Sequence, residues 1–249
     1  MDRAQRDELI LDRLLTEGSV TVAALAAELS LSEVTIRNTL RDLEDQGLLL
    51  RTHGGARRTS FVSVLQRDRL NVDAKERIAA QAATLVKDDE RIMIEAGTTT
   101  ARLVRHLGQR EGVQVVTNST LVFSNARSNP ELNLILTGGV YRRENEALVG
   151  PVAERSIENF NAGIAFVGTD GFSVERGLTT QLVEGAQVAK LMRKRCQQTW
   201  LLADSSKWGN VGFVSFLELV DVTGIITDSG ISAEAKEEIK ELNVQLRVV

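Results

Sequence analysis

The sequence predicts an α/β protein in two parts: a small N-terminal unit of three helices and a hairpin, and a larger unit built on a mainly parallel sheet. Three observations lead to this prediction. Apolar residues recur at helical spacing near the N-terminus, short apolar runs then alternate with helical patterns, and polar residues follow most of those runs. The predicted boundaries are residues 1–58 for the small unit, 59–73 for a polar, partly helical linker and 74–249 for the larger unit.

The length and composition of the chain limit the class of protein. The chain has 249 residues, 43% of them hydrophobic, enough for one medium core and one small core. No apolar run is long enough to span a bilayer and the N-terminus is charged, so we expect a soluble, cytoplasmic protein with no membrane partner. Cys196 is the single cysteine and the only histidines are His53 and His106, which excludes a disulfide within the chain and a Cys/His metal cluster. An all-carboxylate metal site stays open, but we predict no metal and no cofactor.

The small unit begins with three predicted helices. The first covers residues 3–17 and stops at Gly18, Thr21 caps the second, and Ser32 caps the third. Successive helical residues are rotated by about 100°, so the third helix divides into two faces. Its apolar face carries Ile36, Leu40 and Leu43. Its opposite face carries Val34, Arg37, Asn38 and Arg41.

A hairpin follows at residues 48–58, with a Gly-Gly tip and a basic return strand. Three helices followed by a hairpin describe a winged helix-turn-helix, which places its third helix in the DNA major groove and its wing along the backbone. A solvated polar helix face is the alternative, but the helix spacing and the basic hairpin agree with each other. The predicted DNA-contacting residues are Ser32, Val34, Thr35, Arg37, Asn38, Arg41, Arg51, His53, Arg57 and Arg58.

Charge indicates how this unit would bind. The whole chain has a net charge of -4, which argues against a protein that coats nucleic acid indiscriminately. Residues 1–58 contain eight Arg, no Lys and ten acidic residues, so this unit is net negative, and five of the eight Arg lie on the third helix and the hairpin. A monomer would make few phosphate contacts, and we expect a homodimer or a dimer of dimers.

The larger unit alternates strands and helices, which predicts a mainly parallel sheet covered on both faces. Strands are expected at residues 92–94, 113–117, 132–137, 164–168, 200–203, 224–227 and 244–249. Helices are expected near residues 74–86, 103–107, 121–127, 152–160, 183–196 and 233–242.

The residues just after these strands are the candidate binding site, because ligands of open α/β sheets bind at the carboxyl ends of the strands. At the first of them, Gly97 and the three following threonines precede a helix start, an arrangement that suits a phosphate; a capped turn is the alternative. Small hydroxyl residues, glycines, two Asp and a Lys converge there, which favours a polyhydroxylated, phosphorylated ligand. The predicted contacts are Gly97, Thr98, Thr99, Thr100, Asn118, Ser119, Gly138, Gly139, Arg142, Thr169, Asp170, Glu184, Asp204 and Lys207.

Each of these residues also has an ordinary structural explanation that involves no ligand. Lys207 suits a phosphate as a point charge, and Asp170 or Asp204 suits sugar hydroxyls, but each is equally expected in an ordinary turn. Glu184 precedes Lys190 on a predicted helix, and Arg142 lies beyond a Gly-Gly turn; each side chain either reaches the pocket or is only solvated.

Over essentially its whole length the chain resembles the DeoR family of transcriptional regulators. The motifs that carry the resemblance are Thr35-Ile36-Arg37 with Leu40, residues 51–56 (RTHGGA), Gly97-Thr98-Thr99, Thr117-Asn118-Ser119, Gly138-Gly139 and Asp204-Ser205-Ser206-Lys207. The resemblance implies a repressor of sugar or sugar-alcohol catabolism, with a sensor domain that is similar to ribose-5-phosphate isomerase and binds a phosphorylated sugar. Residues 168–180 are most similar to members that sense amino-sugar or sugar-alcohol phosphates. The chain departs from the family at Asn38-Thr39, where Arg-Asp is usual, and at Trp208, where Phe is usual.

Two functions are therefore compared. The first is a DNA-binding repressor relieved by a phosphosugar, and the second is a phosphosugar isomerase with an N-terminal interaction domain. Asp170, Glu184 and Asp204 each offer a carboxylate for proton transfer. An isomerase does not need the winged unit, however, and the strand ends lack a histidine or a second convincing acid/base pair. We therefore predict that the chain is a repressor, that it is not an enzyme and that it has no catalytic residue.

Overall fold

The computed structural model describes residues 3–45, 48–57 and 64–249. The chain divides into two compact units, Met1–Leu70 and Asn71–Val249. The predicted linker, residues 59–73, contains a short helix and the start of the next one in its described part. Residues 58–63, including the predicted contact Arg58, lie outside the described residues.

The first unit contains the predicted helices and hairpin. Its elements are α1 Arg3–Glu17, β1 Ser19–Thr21, α2 Val22–Leu29, α3 Glu33–Asp45, β2 Leu50–Thr52, β3 Gly55–Arg57 and α4 Val64–Arg69. Ile36, Leu40 and Leu43 are buried, as the helical spacing predicted. The Thr21 hydroxyl accepts a hydrogen bond from the Ala24 amide at 3.2 Å, and the Ser32 hydroxyl accepts one from the Thr35 amide at 3.1 Å. Both predicted caps are therefore present.

The hairpin is part of a three-stranded sheet, because β1 pairs antiparallel with β3 on the side opposite β2. The sequence analysis predicted no strand between the first two helices. β1 forms a strand because its backbone meets Gly55, where a side chain cannot fit: an added Cβ atom would lie 1.9 Å from the Val20 carbonyl oxygen. The predicted Gly-Gly tip is also displaced by one residue, since Gly55 already belongs to β3.

Gly55→Ala should therefore destabilise the first unit, by about 1 to 3 kcal/mol or more, because the Val20 backbone would have to move. The matched control is Gly54→Ala, where an added Cβ meets nothing within 4 Å. Denaturant unfolding of the two variants checks this. Equal stability of both would show that β1 and β3 do not pack as described.

The second unit alternates short strands with helices, and every predicted strand is found in it. Its helices are α5 Val72–Ala83, α6 Thr120–Ala126, α7 Pro151–Glu158, α8 Val183–Arg195 and α9 Ala233–Glu241, with 3-10 helices at Thr100–His106, Ser205–Lys207 and Leu219–Asp221. Its strands are β4 Arg91–Ile94, β5 Gln114–Thr117, β6 Asn133–Leu136, β7 Val140–Arg142, β8 Ala147–Val149, β9 Ala162–Val167, β10 Gly171–Ser173, β11 Gly177–Thr180, β12 Cys196–Leu202, β13 Val214–Leu217, β14 Gly224–Thr227 and β15 Gln245–Val248.

Seven of these strands form one parallel sheet in the order β15-β14-β12-β9-β4-β5-β6. Helices α5 and α6 and the first 3-10 helix cover one face, and α7, α8 and α9 cover the other. The predicted α/β fold class is confirmed. The chain runs outward from β4 to β6 in one direction and from β9 to β15 in the other, so the strand order reverses between β4 and β9. Ligands of such sheets bind at this reversal.

Three features of this unit differ from the prediction. The hairpin β7-β8 and the antiparallel sheet β10-β11-β13 were missed, because most of their short strands mix polar or small residues with apolar ones and so form no continuous apolar run. The helix expected after β4 is a 3-10 helix. Its residues 100–104 are all buried, so this segment is covered on every side.

Among the described residues, none of the helices is long and apolar enough to cross a membrane.

Candidate functional site

The outward face of α3 is the candidate DNA-reading surface. Val34, Arg37, Asn38 and Arg41 are exposed, as predicted. Thr39, one of the two departures from the family pattern, is instead buried, and its hydroxyl donates to the Thr35 carbonyl at 3.1 Å. The Asn38 departure therefore lies on the reading surface and the Thr39 departure lies on the core side.

Acidic neighbours form ion pairs with two of the predicted DNA-contacting arginines, Arg37 on α3 and Arg51 on the hairpin. Arg37 Nη2 lies 2.7 Å from Glu33 Oε2, one helical turn away. Arg51 Nη1 lies 3.8 Å from Glu44 Oε2, which also accepts the Arg51 amide through its other oxygen at 2.9 Å. Within the described ranges, Arg41 and Arg57 have no ion pair. A DNA phosphate or base would have to compete with Glu33 for Arg37.

The turn after β4 presents unpaired backbone amides at the strand-order reversal. In the described part of the chain, the amide groups of residues 97–100 have no hydrogen-bond acceptor. Thr98 is half-buried, and its hydroxyl also has no partner there. The Thr100 hydroxyl, in contrast, is buried and donates to the Glu95 carbonyl at 2.7 Å and the Gly97 carbonyl at 3.1 Å. The prediction that this hydroxyl faces a ligand is wrong, because it closes the turn.

Two predicted contacts after β5 are also structural. The Asn118 side chain is fully buried; its Oδ1 accepts the Ala96 amide at 3.0 Å and its Nδ2 donates to the Leu148 carbonyl at 3.2 Å. Ser119 is fully buried and caps α6 by accepting the Val122 amide at 3.2 Å. Neither polar group faces solvent, since each satisfies the backbone of its own loop.

The Gly138-Gly139 turn follows β6 with backbone φ angles of +73° and +122°. An added Cβ atom at Gly139 would lie 2.7 Å from the Val149 carbonyl oxygen. These glycines therefore permit a left-handed turn that packs against β8.

The loop after β9 is joined to the turn after β4, because the Gly168 amide donates to Glu95 Oε2 at 3.3 Å. Within that loop, the Thr169 hydroxyl donates to the carbonyls of Gly171 and Thr179 at 2.7 and 2.8 Å. Asp170 Oδ2 accepts the Thr180 hydroxyl and the Gln181 amide, both at 2.9 Å. Thr169 thus orders the β10-β11 hairpin, while Asp170 is half-buried beside it.

The turn after β12 carries Asp204 and Lys207. Asp204 is only 2% exposed, and its Oδ1 accepts Asn71 Nδ2 at 2.9 Å and the Ser206 amide at 3.2 Å. Lys207 is half-buried, and its ammonium group has no hydrogen bond or ion pair with any described residue. Asp228 stabilises the turn, because its Oδ1 accepts a hydrogen bond from the Ser205 amide at 2.6 Å. Burial alone would raise the pKa of Asp228, but the amides of Ser205 and Gly230 lower it below its usual value.

Arg142 and Glu184 were predicted for the same site, and the structure brings them together. Arg142 Nη2 lies 2.5 Å from Glu184 Oε1, which joins β7 to the start of α8. The pKa of Glu184 is lowered by its own backbone amide and by the Arg142 guanidinium. A ligand anion would have to displace this carboxylate from Arg142.

The sequence analysis missed a charged cluster on α5. Lys75 is 3% exposed, and Arg102 is also buried. Glu76 lies 2.5 Å from Arg102 Nη1, 3.2 Å from Arg105 Nη1 and 2.9 Å from His106 Nε2. Burial opposes ionisation of Glu76, but hydrogen bonds from His106 and Arg102 lower its pKa. A signal for Lys75 existed, since it precedes the buried Ile78 by three residues and so lies on the apolar face.

Comparison with known proteins completes the description. Residues 6–61 match the model of a DeoR-like helix-turn-helix domain, and residues 70–229 match that of a DeoR C terminal sensor domain. The chain is 35% identical to the HTH-type transcriptional regulator GlpR of Haloferax volcanii, over 97% of this chain and 96% of that protein. It is 34% identical to the lactose phosphotransferase system repressor of Lactococcus lactis, over 99% of both chains. A ribose 5-phosphate isomerase A from Methanocaldococcus jannaschii overlaps 55% of each chain at 23% identity, with a TM-score of 0.42.

Proposed function

Because this chain belongs to the DeoR family of transcriptional regulators, we propose that it represses a sugar or sugar-alcohol catabolic operon and that a phosphorylated sugar relieves the repression. The family is one of transcriptional regulators, so the prediction that the chain is not an enzyme is confirmed. Relatives that match nearly the whole chain include a lactose phosphotransferase system repressor, which supports repression as the direction of control.

The DNA-binding half of the proposal rests on the exposed face of α3. An Arg can pair with a guanine edge, an Asn with an adenine edge, and a Val can contact a thymine methyl group. The wing would contact phosphates and fix the register. The proposed contacts are Ser32, Val34, Thr35, Arg37, Asn38, Arg41, Arg51, His53, Arg57 and Arg58.

We propose that the chain acts as a homodimer or a dimer of dimers. Two of the predicted DNA-contacting cations, Arg37 on α3 and Arg51 on the hairpin, are already paired with acids. One unit therefore offers few phosphate contacts, and two units reading two half-sites would double them.

The observation that carries the effector half is the run of unpaired amides at residues 97–100, at the same edge of the sheet as Lys207, whose ammonium group has no hydrogen bond or ion pair with any described residue. Backbone amides of this kind bind phosphate oxygens, and a lysine adds a point charge. Strands β4 and β12 are separated by one strand, β9, so their ends lie about 10 Å apart. A phosphorylated sugar is long enough to contact both. Thr98 and Thr99 are the proposed donors beside the amides, and Asp170 is the proposed partner for sugar hydroxyls.

The proposed ligand contacts are fewer than the residues that the sequence predicted for this site. The polar groups of four of these residues form hydrogen bonds to the backbone of the loops themselves: Thr100, Asn118, Ser119 and Thr169. We propose that they shape the site and that Gly97, Thr98, Thr99 and Lys207 contact the ligand. Arg142 and Glu184 would join it only if their ion pair opens.

A thermal-shift screen tests this proposal. The panel is inorganic phosphate, glycerol 3-phosphate, fructose 1-phosphate, glucosamine 6-phosphate and galactitol 1-phosphate, with the unphosphorylated parent of each ester. A compound that binds only the native state raises its melting temperature. We expect at least one ester, and no parent, to stabilise the protein.

Lys207→Ala should weaken binding of that ester about 10- to 150-fold, the loss expected for a hydrogen bond to a charged group. The control is Lys87→Ala, an exposed lysine that precedes β4 at the opposite, amino end of the strands. Isothermal titration measures both dissociation constants. The proposal is wrong if no ester binds or if the two variants lose equal affinity.

A further inference from the structure

We propose that helix α5 couples the occupied strand ends to the DNA-binding unit, and that Asn71 is the positioning residue that makes this coupling. The inference rests on the proposed function and extends it to the means of control. It starts from the place of Asn71 in the chain, since Asn71 is the first residue of the larger unit and follows Leu70, the last residue of the smaller one.

Asn71 does not act as an ordinary helix cap. Asparagine at this position normally accepts a hydrogen bond from an amide in the first turn of its helix. Here the side chain makes no such bond, and the backbone adopts the left-handed conformation with a φ of +50°. The side-chain amide instead reaches the turn after β12, where Nδ2 lies 2.9 Å from Asp204 Oδ1 and 3.3 Å from Ser206 Oγ.

The second connection of α5 lies one turn further along. Glu76 binds Arg102, Arg105 and His106, all on the 3-10 helix that follows the amides of residues 97–100. The helix therefore holds both parts of the proposed phosphate site: the β12 turn with Lys207 through Asn71, and the β4 turn through Glu76. A ligand that draws Lys207 towards those amides must act on α5 through these two connections.

Of the two connections, only Asn71 adjoins the other unit. Asp204 is almost fully buried and also fixes the Ser206 amide, so a shift of the β12 turn moves the atom that Asn71 binds. Because the backbone of Asn71 continues directly into Leu70, that shift is passed to the segment that leads into the DNA-binding unit. Ligand binding then favours one arrangement of the segment, as coupling between two sites requires.

Two substitutions isolate the side chain of Asn71 from its backbone. Asn71→Gly removes both hydrogen bonds and retains a residue that readily adopts a positive φ. Asn71→Asp places a carboxylate beside Asp204 and drives the two groups apart. The matched control is Asn243→Gly, which makes the same change at another left-handed asparagine, with a φ of +56°, after α9.

Two measurements on the full-length chain decide the inference. The first is hydrogen–deuterium exchange of residues 204–208 without ligand, which we expect to be faster in both Asn71 variants and unchanged in Asn243→Gly. The second is the dissociation constant for a DNA duplex selected from a random pool, with and without saturating panel esters or inorganic phosphate. For wild type we expect ligand to weaken DNA binding about 5- to 150-fold. For both Asn71 variants this ratio should fall towards one, while ligand-free DNA affinity stays within about twofold of wild type.

The outcomes separate the inference from the proposed function. A wild-type ratio of one for every panel compound contradicts the proposed function, and the exchange data still decide whether Asn71 holds the turn. A wild-type ratio above one that persists in both Asn71 variants, or exchange that does not change, overturns the role of Asn71. An equal effect in Asn243→Gly overturns it as well, because the loss would then follow from general destabilisation.

Discussion

Arg37→Ala should weaken binding to the selected duplex about 5- to 150-fold, the loss expected when a bidentate contact to a base is removed. Arg37 lies in the middle of the exposed face of α3, one turn from Glu33, which holds its guanidinium in the free protein. Fluorescence anisotropy on the selected duplex and on a scrambled duplex measures the effect. The loss should be larger on the selected duplex, because phosphate contacts carry no sequence information.

Two variants control for charge. Arg13→Ala removes an arginine from the same unit that pairs with Glu28 on α2, and it should leave DNA binding nearly unchanged. Arg37→Lys keeps the charge but loses the planar guanidinium, so it should reduce specificity more than affinity for the scrambled duplex. If Arg37→Ala weakened both duplexes equally, Arg37 would contact the phosphate backbone, and no loss at all would contradict the docking of α3.

Asn118→Asp should lower the free energy of unfolding by about 1 to 3 kcal/mol or more, because it places a charge in a fully buried position and removes the donor to the Leu148 carbonyl. Denaturant unfolding measures this loss. The control is Asn159→Asp, an exposed residue whose side-chain amide also donates to a carbonyl, that of Arg155. Unchanged stability of Asn118→Asp together with lost ester binding would return Asn118 to the set of ligand contacts.

The sequence predicted the framework of the larger unit well. Each strand of the seven-stranded sheet came from a short apolar run. The central strands β4, β5, β9, β12 and β14 are largely buried and therefore apolar, whereas the edge strands β6 and β15 are partly exposed. Met93 packs on one face of the sheet while its neighbours Ile92 and Ile94 pack on the other. The third helix was equally clear, since its buried and exposed faces follow directly from helical periodicity.

The roles of individual polar residues were less predictable. Asn118 and Thr100 follow strands at the correct edge of the sheet, and on that basis both were assigned to the ligand. The same amide and hydroxyl groups are also the partners that buried loop backbone requires, and a sequence does not say which demand they meet. Lys75 shows the opposite error, because the sequence analysis named no role for this charged residue on an apolar helix face, although it is buried.

The central claim is that a phosphorylated sugar controls binding to DNA, and a single titration tests it most directly. Wild-type protein is titrated onto the selected duplex with and without each ester of the panel, and the dissociation constants are compared. We predict that one ester weakens DNA binding about 5- to 150-fold while its unphosphorylated parent has no effect. Affinity that stays the same with an ester that binds the protein, or that falls equally with the parent sugar, would contradict the account.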